Sequence, residues 1–149
     1  MLSKIQEEEL GESYIDPTRE EFALLKSLPR DHPVEMLNLV KLRDDAGYRD
    51  GRTATGAEAY AAYGRESEPI FRKVGGKIIW SGDPQFMVIG PPEEQWDIAF
   101  IARYPSGQAF LDMVYDPDYQ AVVHHRQAAV ETSRLIRTMP RLTGGGFGN

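Results

Sequence analysis

After a polar, acidic start over residues 1–14, which reads as a loose segment, apolar positions first gather at Phe22, Leu24, Leu25 and Leu28. Asp16 as N-cap and Pro17 at the first helical position predict a helix there, stopped by Pro29 and Pro33. Met36 to Leu42 carries apolar residues toward both faces, the pattern of a strand covered on both sides. Thr55-Gly-Ala-Glu58 is a capping box. Behind it Tyr60, Tyr63, Ser67, Ile70, Phe71 and Val74 recur at helical spacing. Pro69 should kink or restart that helix, and Gly75-Gly76 ends it. Lys77 to Trp80 reads as a strand, broken by Gly82-Asp83-Pro84 and resumed over Gln85 to Ile89 as a bent strand or small hairpin. Trp96 to Tyr104 is a third strand, with Ile98, Phe100, Ala102 and Tyr104 on one face and Ala99, Ile101 and Arg103 on the other. Ser106 opens a short helix to about Val114, Asp116-Pro117 opens another to about Glu131, and Ser133 to Met139 is a last strand.

The order is helix, then β-α-β-β-α-α-β, which gives a single α+β domain over residues 15–140 with an extra N-terminal helix and a flexible glycine-rich tail at 141–149. The ferredoxin-like split β-α-β arrangement puts the helices on one face of an antiparallel sheet. The other face also carries apolar residues, and no helix remains to cover it. A second copy of the same sheet is the simplest cover, which predicts a homodimer formed through the sheet faces.

Composition narrows the partners. Of 149 residues, 41% are hydrophobic and 27% charged, as in ordinary globular domains. The formal net charge of -6, with no basic stripe, argues against nucleic acid. There is no cysteine, which removes disulfides, thiolate zinc sites and a Cys nucleophile. No apolar run reaches the roughly 18 residues of a membrane helix, and the start lacks an apolar signal core. The expectation is a cytoplasmic protein with no membrane partner.

Five segments together are similar to a known family: PVEMLNLVKLR (33–43), TGAEAYAAYGRESEPIF (55–71), VGGKIIWSG (74–82), FIARYPSGQAFLDMVYDPDYQ (100–120) and HRQAAVETSRLIRT (125–138). They resemble the domain of unknown function 1330. The resemblance implies a ferredoxin-like fold and dimeric α+β-barrel assembly, and it implies no particular reaction and no cofactor. At superfamily level it brings cofactor-independent oxygenases, lactone isomerases and haem-degrading enzymes into view, with ligands held between sheet and helices.

Arg126 is the most informative single residue. Tyr119, Val122, Val123, Ala129 and Val130 form an apolar stripe, and Arg126 falls inside it. A guanidinium facing the sheet needs a carboxylate, carbonyls or an anionic ligand. Asp97 and Asp112 are the expected internal partners. Asn38 stands in an apolar strand and must have its amide satisfied, by the protein or by a ligand. Arg103 is either a rim ion pair or a second anion-binding group. Tyr63 and Trp80 are the expected pocket walls. His124 and His125, adjacent on a helix, point about 100° apart and cannot readily share one ion. His124 or Tyr63 could move a proton, and either histidine could ligate haem.

Three readings remain open on this basis. One is a small anionic organic molecule bound between sheet and helices by Arg126, Asn38, Arg103 and Trp80. Another is a cofactor-independent oxygenase or isomerase. The last is a haem-binding or non-catalytic partner-binding module.

Overall fold

The computed structural model describes residues 13–147. The expected loose start lies almost wholly outside them, as does the end of the glycine-rich tail; residues 141–147 carry no helix or strand. The elements are α1 (Arg19–Ser27), β1 (Val34–Leu42), α2 (Gly56–Lys73), β2 (Lys77–Gly82), β3 (Ile98–Tyr104), α3 (Gly107–Tyr115), α4 (Pro117–Ala129) and β4 (Val130–Thr138).

Local chemistry explains most boundaries. α1 begins two residues beyond the Pro17 start read from the sequence, because Thr18 and Glu21 form a reciprocal capping box. Asp16 is thereby released for other contacts. Thr55 and Glu58 cap α2 in the same way, and the helix runs through Pro69 without restarting. Gly75 then takes a φ of 86° and donates its N–H to Arg72 O, the left-handed stop expected there. α4 passes into β4 with no intervening loop, so the last strand begins three residues before Ser133.

The expected resumption of the second strand at Gln85–Ile89 does not occur. The β2–β3 register already runs from Lys77↔Arg103 to Gly82↔Ala99, and β3 begins at Ile98. No length of β3 remains for a second segment to pair with. Residues 83–97 form a loop instead, with Phe86, Val88 and Ile89 exposed.

The four strands form one antiparallel sheet in the order β2-β3-β1-β4. Val34, Met36 and Val40 of β1 and Ala102 and Tyr104 of β3 face the helices. They pack with Ile70 of α2, Ala109 and Met113 of α3, and Ala129 and Val130 at the α4–β4 junction. The opposite face, which carries no helix among the described residues, has a row of cross-strand neighbours, Trp80–Ile101–Leu37–Ile136, that spans all four strands. Trp80 and Ile136 are each 50% exposed there.

Among the described residues, no helix is long and apolar enough to cross a membrane.

Candidate functional site

Between the helix-facing side of the sheet and α1, α2, α3 and α4 lies a partly open cavity of about 1410 Å³. Its floor is the sheet, with Met36, Asn38, Phe100 and Ala102 on it. Phe71, Tyr104 and Phe110 form an aromatic wall in T-shaped contact, with centroids 5.4 and 5.2 Å apart. Segment 14–17 and residues Glu21, Phe22 and Leu25 of α1 also line it.

Arg126 reaches this cavity from α4. Its side chain is only 16% exposed, so its charge must be answered. Nη1 donates to Ile15 O and lies 3.6 Å from Asp16 Oδ1. Nη2 donates to Ser133 Oγ at 3.2 Å, and that hydroxyl donates onward to Tyr14 O. The internal partner is therefore Asp16, not the expected Asp97 or Asp112. Asp97 accepts from Leu42 N at 2.7 Å, and Asp112 accepts from Gln108 Nε2 at 2.9 Å.

Three phenols share the cavity wall with Arg126. The hydroxyls of Tyr63 on α2 and Tyr119 on α4 are 2.8 Å apart, and the Tyr60 ring lies 5.6 Å from that of Tyr63. Burial pushes the Tyr60 phenol up to about 12, with the Arg126 charge pulling weakly the other way. Burial and the neighbouring Tyr119 hold Tyr63 well above the usual phenol range, and burial also raises Tyr119. All three are thus neutral near neutral pH and unsuited to acting as phenolate bases; one of the Tyr63–Tyr119 pair spends its O–H on the other, which leaves that pair one proton, beside that of Tyr60, to donate to an oxyanion. Asn38 lies on the cavity floor, and its Nδ2 donates to Met36 O at 3.0 Å.

The cavity thus brings together Arg126, Asn38 and Tyr63. It does not include Trp80, Arg103 or His124. Trp80 is turned away by a bulge. Ile78 opposes the helix-facing Ala102, but the register shifts and Trp80 opposes Ile101 on the other face. Arg103 is on that far face too, in an ion pair with Glu35 at 3.1 Å.

His124 is exposed on α4 and stacks on His125 at 4.1 Å. His125 is buried, with Nδ1 2.6 Å from the Tyr48 hydroxyl and Nε2 3.0 Å from Glu66 Oε2. Both its ring nitrogens are engaged, so it could ligate a haem iron only by giving up one of these contacts. Among the described residues, no three His, Asp or Glu side chains converge as metal ligands. The Glu66–His125–Tyr48 chain joins α2, α4 and the loop after β1. No spacing rule in the sequence announces it, since its members lie in three separate segments.

No curated protein matches the chain. A solved structure of the protein RPA0582 of Rhodopseudomonas palustris, described as of unknown function, is 54% identical, covers 89% of this chain and 100% of its own, and superposes with a TM-score of 0.85. The methylated form of RPA0582 is 55% identical, covers 90% and 98% of the two chains, and gives a TM-score of 0.86. SnoaB of Streptomyces nogalater, a cofactor-independent oxygenase, is 15% identical over 77% of this chain and 99% of its own, with a TM-score of 0.50. At that distance the likeness shows a shared ferredoxin-like fold alone. Residues 51–138, more than half of the chain and running from the loop before α2 through β4, match the domain of unknown function DUF1330, and the chain belongs to that family.

Proposed function

We propose that the cavity binds a small organic acid with a bulky apolar body. The acid group sits at Arg126 and the phenols of Tyr60, Tyr63 and Tyr119. The body lies on the sheet floor against Phe71, Tyr104 and Phe110, and Asn38 orients a carbonyl or hydroxyl of the ligand. The observation that carries this reading is one guanidinium sharing an aromatic-walled cavity with three phenols that burial keeps neutral. Such a wall offers a few convergent donors in an otherwise apolar surround, the usual make-up of a small-molecule site. The donors favour binding, or stabilising an enolate, over abstracting a proton.

Calorimetric titration with 1-naphthoate, an aromatic carboxylate, tests the reading on the wild-type chain and on Arg126→Gln. A charged hydrogen bond is worth about 1.5–3 kcal/mol, so the variant should bind about ten- to a hundredfold more weakly. Equal affinity for the variant, or no binding by the wild type at millimolar ligand, defeats it.

The same reading takes the functional unit to be a homodimer in which a second copy covers the Trp80–Ile101–Leu37–Ile136 row. Its support is the apolar character of that row and the lack of any helix over it among the described residues.

A further inference from the structure

We propose that residues 14–16 are a releasable clasp on Arg126, with Asp16 holding the place that the ligand's acid takes on binding. The proposal rests on the reading of the cavity as an acid-binding site and concerns how that site is controlled.

A carboxylate binds a guanidinium best through two parallel N–H donors. Nη1 of Arg126 is engaged by Ile15 O and by the Asp16 carboxylate, and Nη2 by Ser133 Oγ. Both contacts on Nη1 come from consecutive residues, so one displacement of the chain frees that nitrogen. A ligand acid arriving from the cavity would meet a guanidinium already answered by this segment of its wall.

The weak points of the clasp are its ion pair and the helix that follows it. The clasp's anchors include the bonds from Ser133 N and Oγ to Tyr14 O, from Tyr14 N to Thr132 Oγ1 and from Gln127 Nε2 to Asp16 Oδ2, the Arg134 guanidinium 5.0 Å over the Tyr14 ring, and the half-buried Ile15 packed against the Val40, Ala59, Ala129 and Val130 cluster. Asp16 is 48% exposed and its ion pair is long at 3.6 Å, which makes it a weak competitor. Helix α1, which follows directly, has no buried residue, and Phe22 and Leu25 face the cavity. Segments with so little burial open at small free-energy cost. Releasing the clasp therefore both frees Arg126 and opens one wall of the cavity.

Two measurements on the full chain test this. Calorimetry with 1-naphthoate on Asp16→Asn should show binding about two- to fivefold tighter than wild type, the size of one weak exposed ion pair removed from competition. Amide exchange at Ser133, whose N–H is held by Tyr14 O, should quicken when wild-type protein is saturated with 1-naphthoate. If the wild type binds but Asp16→Asn binds equally or more weakly, or if Ser133 exchange is unchanged or slowed by ligand, the segment is a fixed wall and the clasp is overturned while the acid site stands. If neither chain binds, or if Arg126→Gln binds as well as wild type, the acid site falls and the clasp with it.

Discussion

A guanidinium at 16% exposure and three phenols around one cavity are costly to assemble, and the phenols record that cost in their acidity. Tyr60 titrates at about 12 in the fold and near 10 in the unfolded chain. A folded value above the unfolded one means that its contribution is fully present below pH 10. It is lost as pH rises, because the unfolded chain sheds the proton first. Urea denaturation should therefore show stability falling between pH 10 and 12, by on the order of 2 kcal/mol from Tyr60 alone, and Tyr60→Phe should flatten that part of the curve. A slope unchanged in the variant would mean that Tyr60 is not the titrating group. Arg126 was legible in the sequence because its place in the stripe can be counted from Val122 and Val123. Its partner was not, because Asp16 lies more than a hundred residues away and looked like a helix cap. The capping role belongs to Thr18, and only tertiary contact could show it.

Elements with strong local signals were readable to within a few residues. α2 is the plainest, since Thr55 and Glu58 announce its start and Gly75 its end. Removing the cap with Thr55→Ala should destabilise the chain by about 1 kcal/mol in urea denaturation. A change below a few tenths of a kcal/mol would show that α2 is held by packing alone. The region after β2 was misread because Gln85–Ile89 has the composition of a strand, whereas pairing is decided by what lies opposite. The bulge between Ile78 and Trp80 was equally silent in the sequence. One extra residue there reverses the facing of everything after it, which moves Trp80 from the expected pocket wall to the far side of the sheet.

For the whole molecule, the sequence order alone was enough for an α+β sheet with helices on one face, because short connections and strand patterning leave few topologies. A second face without a helix among the described residues follows from the same order. Trp80, Ile101, Leu37 and Ile136 make it an apolar band, flanked by the Arg103–Glu35 and Arg134–Glu94 ion pairs. If a second copy covers this band, sedimentation should show a dimer for the wild type, and Trp80→Glu combined with Ile136→Arg should give a folded monomer. A wild-type monomer at about 100 µM, far above the dissociation constants of stable dimers, would remove the second copy from the proposal. The cavity was not legible, because its walls come from α1, α2, α3, α4 and the sheet, and no single stretch of chain describes it.

The segment at residues 14–16 also bears on how the protein keeps its own company. β4 is an outermost strand, and Tyr14 O takes the Ser133 N–H that would otherwise point outward. A bare strand margin of that kind is a template for intermolecular pairing and fibre growth. A chain that must loosen this segment to admit a ligand therefore exposes, for as long as it is open, a place where a neighbouring molecule could add a strand.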